Sequence, residues 1–86
     1  MNINYKITEY FKKNNLFTNE ISNGLNISID NDSITIKGSQ RDLVELADLL
    51  ANVAIDKTKG AHLHIDELTL LDKDSNIKEL IIEKKP

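Results

Sequence analysis

Ser33-Ile34-Thr35-Ile36-Lys37-Gly38-Ser39 opens the stretch that decides the fold, and Gly60-Ala61-His62-Leu63-His64-Ile65-Asp66 closes it. Between them runs a segment with helical period. Ser39 is placed to accept a hydrogen bond from the backbone N–H of Asp42, and Asp42 to reach back to Ser39, a short form of the capping box that fixes the helix start. Leu43, Leu46, Ala47, Leu50, Val53 and Ala54 recur at spacings of three and four, while Arg41, Asp42, Glu45, Asp48 and Asn52 fall on the other side. The pattern predicts one dry face and one wet face. Lys57 and Lys59, with Gly60 after them, form a stop signal. A helix of this length does not hold its shape alone, so it needs a sheet beneath it.

The flanking segments supply strands. Leu25, Ile27 and Ile29 alternate with Asn26, Ser28 and Asp30, then Ile34 and Ile36 alternate with Ser33, Thr35 and Lys37. Asp30-Asn31-Asp32-Ser33 between them is turn chemistry, so the pair reads as a β-hairpin with one apolar and one polar face. After the helix, Ala61, Leu63 and Ile65 point one way, and His62, His64 and Asp66 the other. Leu68, Leu70 and Leu71 make a partial strand or a buried loop, and residues 73–76 read as a turn. Residues 79–84 form the last strand, and the unbroken run Leu80-Ile81-Ile82 predicts an interior position in the sheet.

Residues 1–17 carry two periods. Ile3, Tyr5 and Ile7 alternate like a strand, whereas Ile7, Tyr10 and Phe11 fit one side of a short helix, which is the reading taken for residues 7–14. All four aromatic residues, Tyr5, Tyr10, Phe11 and Phe17, lie here, so the segment is expected to dock onto the domain. Residues 18–23 read as a short extended piece ending at Gly24. The expected fold is α+β: a small, mostly antiparallel sheet made of a hairpin and two further strands. One main amphipathic helix packs on one face, with a short N-terminal helix or strand beside it, all in a single domain over residues 1–86.

Composition narrows the function. A chain of 86 residues affords a two-layer core and no large enclosed substrate pocket. It has no cysteine, which excludes disulfides, thiolate chemistry and cysteine-ligated zinc and suits a reducing cytoplasm. The first ten residues are too polar for a signal peptide, and no apolar run approaches a membrane span, so a cytoplasmic location is expected with no membrane partner. The net charge is −3. Residues 60–77 hold Asp66, Glu67, Asp72 and Asp74 against Lys73 alone, whereas residues 1–15 are mildly basic. An acidic middle disfavours nucleic acid and suits either solvent or a basic protein partner.

His62-x-His64-x-Asp66 is the arrangement that most resembles a chemical site. On a strand, residues two apart project side by side, so two imidazoles and a carboxylate could meet a zinc ion. Metallo-β-lactamase-type hydrolases use a His-x-His-x-Asp-His run in this way. Here Glu67 takes the place of the final histidine and no other histidine remains, so neither metal nor cofactor is expected. The alternating polar residues equally describe a face turned to solvent or to a partner. There is no Gly-x-Ser-x-Gly elbow, and the three glycines stand singly at element ends, so no catalytic residues are expected.

The run Ile34-Thr35-Ile36-Lys37-Gly38-Ser39, the helix Leu43-x-x-Leu46-Ala47-x-x-Leu50, the strand Gly60-x-His62-Leu63-His64-Ile65-Asp66 and the closing Glu79-Leu80-Ile81-Ile82-Glu83-Lys84 together resemble immunity protein family thirty-two of bacterial polymorphic toxin systems. The resemblance covers about residues 34–84. It implies a non-catalytic protein that binds a cognate toxin domain, often a nuclease, and neutralises it by occlusion. The expected contact surface is His62, His64, Asp66, Glu67, Asp72 and Asp74, chosen from charge and exposure. Two other classes remain open: a homodimeric structural or adaptor domain paired through a sheet edge, and a small metal-dependent enzyme using His62, His64 and Asp66.

Overall fold

The computed structural model describes residues 6–18 and 24–85. In chain order the elements are α1 (Ile7–Lys13), β1 (Asn26–Asp30), β2 (Ser33–Lys37), α2 (Gln40–Ile55), β3 (His62–Ile65) and β4 (Leu80–Glu83). The α+β class and the antiparallel pairing agree with the sequence reading. The strands form two separate ladders, β1 with β2 and β3 with β4. Tyr5 and most of the extended piece expected at residues 18–23 lie outside the described residues.

The two ladders stay apart because the chain between β3 and β4 is used elsewhere. Leu71 makes a parallel bridge to Leu25, and Leu25 N–H donates to Leu70 O while Asp72 N–H donates to Leu25 O. Further along, Ile27 N–H donates to Ser75 Oγ at 2.8 Å, and Ile29 N–H donates to Asn76 Oδ1 at 3.1 Å. Residues 70–76 thus satisfy the outer edge of β1, partly with side chains, and a third strand has no room there. Gly24 makes the crossing possible. It sits at φ +88°, where a Cβ would come within 2.7 Å of Leu70 O.

Buried Leu25, Ile27, Leu46, Ile65, Leu70 and Leu71 form the core, with Leu49, Leu63, Ile77, Leu80 and Ile82 packed against it. The interior position expected for the last strand is corrected. Among the described residues β4 pairs with β3 alone, and Ile81 is exposed while Leu80 and Ile82 reach the core. Alternation on a one-sided strand turns the middle residue of an apolar triplet outward.

The capping box on α2 is present: Asp42 N–H donates to Ser39 Oγ at 3.2 Å, and Ser39 N–H donates to Asp42 Oδ2 at 3.4 Å. Gly38 precedes it because a Cβ there would lie 2.8 Å from Leu25 Cδ2. The single dry stripe is corrected. Asp42, Val44 and Leu46 are buried, whereas Leu43 and Leu50 are exposed. The face expected to be wet carries the N-terminal segment. Asp48 accepts the N–H groups of Ile7 and Thr8, Gln40 bonds Leu16 O and Thr18 N–H, and the Arg41 guanidinium lies 4.8 Å over the Phe17 ring.

The expected N-terminal helix is α1, and Phe11 and Phe17 pack at 5.4 Å between centroids, while Tyr10 remains exposed. At its other end α2 has no basic residue in its last turn, and the cation arrives from beyond β4. Lys84 Nζ donates to Ala54 O at 2.9 Å and Asp56 O at 2.8 Å. The Asp56 carboxyl is held below its ordinary value, first by the hydrogen bond from Thr58 N–H and then by the Thr58 hydroxyl, with Lys84 adding a smaller pull. Among the described residues no helix is long and apolar enough to cross a membrane.

Candidate functional site

β3 is short, and its alternation decides which side chains face out. Ala61 and Ile65 are buried, Leu63 is half-buried, and His62 and His64 are exposed. The two rings meet edge to face at 5.1 Å between centroids. His62 Nδ1 lies 3.1 Å from Gly60 O, and His64 Nδ1 lies 2.9 Å from Glu79 Oε2. A carbonyl or carboxylate at that distance needs a donor, so Nδ1 carries the proton in both rings. Glu79 was not among the expected site residues. Its position one residue before β4 places it diagonally across the ladder from His64, which only the β3–β4 register reveals.

Asp66 does not join the histidines. Its Oδ1 accepts Leu68 N–H at 3.0 Å, and its carbonyl accepts the N–H groups of Thr69 and Leu71. The residue ends β3 and builds the turn that follows. Among the described residues no three His, Asp or Glu side chains converge as a metal-holding group. Of the three residues in the His-x-His-x-Asp spacing, the two imidazoles meet, and the Asp66 carboxylate serves the turn after β3.

The carboxylates expected at the contact surface divide by role. Asp72 Oδ1 accepts Asp74 N–H at 2.9 Å, so Asp72, like Asp66, shapes a turn. Glu67 and Asp74 stand exposed beside them. Glu67, Leu68, Leu71, Asp72, Lys73 and Asp74 line one open concavity. Leu71 is its buried floor, and Leu68, 89% exposed, stands on its rim. The structure thus brings together three of the six expected residues, Glu67, Asp72 and Asp74, and adds Leu68. Asp66 accepts hydrogen bonds within the turn, and neither it nor the two histidines are in the lining. The sequence pattern predicts Leu68 in a partial strand or buried loop, and the structure exposes it. The visible signal for its exposure was the acidic pair Asp66-Glu67 immediately before it, which places a turn there.

Chemically, the concavity offers carboxylates around a small apolar floor, with one lysine. It suits a basic, partly apolar surface on another macromolecule better than a small substrate, which needs enclosure. No curated protein and no solved structure matches the chain. Residues 33–85, from β2 to just beyond β4, match the model of the family described as Immunity protein 32, and the chain belongs to that family of immunity proteins.

Proposed function

We propose that this protein binds a cognate toxin domain and neutralises it by occlusion, without catalysis of its own. Membership of residues 33–85 in the Immunity protein 32 family carries the reading. The acidic concavity supports it, because Glu67, Asp72 and Asp74 offer negative charge around the apolar contacts of Leu68 and Leu71. Where the toxin is a nuclease, its active site is built for phosphate, and carboxylates on a complementary surface would occupy that place. They would also speed encounter, typically by about 10–10³-fold at low salt. Binding in the cytoplasm of the producing cell is the corresponding location.

The test is co-expression with the toxin domain encoded beside this gene, scored by growth and by purification. Restored growth with a stoichiometric complex is the expected result. Growth arrest with the protein soluble and no complex formed would overturn the reading.

A further inference from the structure

The hairpin leaves the core as it runs outward. Ile27 is buried, but Ile29, Ile34 and Ile36 are 52%, 65% and 40% exposed, and every residue of β2 is exposed. These three isoleucines share the face that Ile27 begins, since Ile27 pairs with Ile36 and Ile29 with Ile34. They form an apolar patch on a sheet with nothing over it among the described residues.

The edge of β2 is open as well, and its hydrogen-bonding groups can be assigned. The N–H groups of Ile27 and Ile29 point away from β2, to Ser75 and Asn76. Ile27–Ile36 and Ile29–Ile34 are therefore the non-hydrogen-bonded pairs of the ladder. It follows that the N–H and C=O of Ile34 and Ile36 point to the outer side of β2. No described residue bonds them there. Protected edges carry charges, proline or bulges. β2 carries one charge, Lys37, at its end, and none at Ser33, Ile34, Thr35 or Ile36, and it holds no proline.

We infer that β2 is a homodimerisation edge, pairing antiparallel with β2 of a second copy about a two-fold axis at Thr35. In that register Ile34 faces Ile36 of the second copy, and the outward groups of both residues close about four hydrogen bonds. Ser33 faces Lys37 of the second copy, so no like charges oppose. Asp30 sits across from Ser33 on the same face of its own hairpin, which places a carboxylate in the row that Lys37 of the second copy enters. The two isoleucine patches become one face of a four-stranded sheet. A segment that is self-complementary in backbone, side-chain size and charge fits a second copy. The inference concerns the protein alone and stands apart from the toxin reading.

The test is sedimentation of the purified full chain from about 1 to about 200 µM, with cysteine variants introduced into a chain that has none. Wild type is expected to dimerise across that range. Ile34→Lys, at an exposed position, is expected to keep its far-UV circular dichroism and weaken dimerisation at least about tenfold. Under mild oxidation Thr35→Cys, which meets itself at the axis, is expected to form a disulfide-linked dimer, and Ser33→Cys is expected not to. Should Ile34→Lys not fold, the cysteine pair decides alone. A monomer throughout, or equal cross-linking at both positions, would overturn the inference. So would a monomer whose Ile34→Lys variant loses toxin-domain affinity, which would assign the edge to the toxin instead.

Discussion

The Asn76 side chain pairs with the backbone of Ile29 as a strand residue would. Its Oδ1 accepts Ile29 N–H at 3.1 Å, and its Nδ2 donates to Ile29 O at 3.3 Å. The preceding residue, Ser75, does similar work, accepting Ile27 N–H and donating to Leu25 O. Side chains from a loop thus complete one edge of β1, which leaves the hairpin with its open edge on β2. Asn76→Ala removes both contacts. Net contributions of about 0.5–1.5 kcal/mol for each hydrogen bond give an expected loss of about 1–3 kcal/mol in a denaturant melt. Amide exchange should rise at Ile29 more than at Ile65, and unchanged exchange at Ile29 would remove the edge-completing role.

α1 has seven residues, too few to persist alone, and Lys6 at its N-cap makes no side-chain cap. Asp48, from the middle of α2, supplies the missing acceptor to Ile7 N–H, Thr8 N–H and the Thr8 hydroxyl. The carboxylate also sits at the positive end of the α1 dipole. Asp48→Ala is expected to lower stability by about 1–3 kcal/mol. Protection should be lost first at the α1 amides, with the β1–β2 amides little affected. Hydrogen exchange read residue by residue checks this, and a uniform loss over the domain would contradict it.

Leu46 and Leu50 look equivalent in the helical pattern, and burial separates them: 9% exposed against 41%. Leu46→Ala should cost about 2–5 kcal/mol through a core cavity, and Leu50→Ala less than about 1.5 kcal/mol because much of its surface already meets water. Paired urea melts decide, and equal costs would mean that Leu50 is covered in solution.

Much of this fold could be read from local chemistry. Ser39 with Asp42, the Asp30–Ser33 turn, and the alternation through Ala61 and Ile65 each specify an element from neighbours in sequence. The misreadings arise from long-range contacts. Asp42 and Asp48 are charged and fall on the nominal wet side of α2, yet one is buried in its own capping box and the other is consumed by α1. Nothing within the helix announces a partner about forty residues away. Leu80-Ile81-Ile82 reads as buried on both faces, but strand count depends on where residues 70–76 go, and those are committed to Leu25 and β1 by backbone bonds together with the Ser75 and Asn76 side chains. At the candidate site, charge picked out residues that the fold brings to one concavity, Glu67, Asp72 and Asp74. Charge alone did not separate the carboxylates that build turns from those that are free to meet a partner.

That separation fixes how the proposed toxin-binding surface is best tested. Reversing Asp72 or Asp66 would disturb the turn hydrogen bonds to Asp74 N–H and Leu68 N–H, so lost binding would report on shape as well as charge. Glu67 and Asp74 are exposed residues on the same concavity, and neither carboxylate accepts a turn N–H among the described residues. Glu67→Lys combined with Asp74→Lys is expected to leave the melt within about 0.5 kcal/mol of wild type. Toxin-domain affinity should fall about 10–100-fold, mostly through slower association, and the gap should narrow as salt rises. Leu68→Ala, removing an apolar contact on the rim, should act on dissociation instead. Normal affinity in both the double reversal and Leu68→Ala would take this loop out of the toxin interface. Loss in the double reversal with a weakened melt would point to folding as the cause.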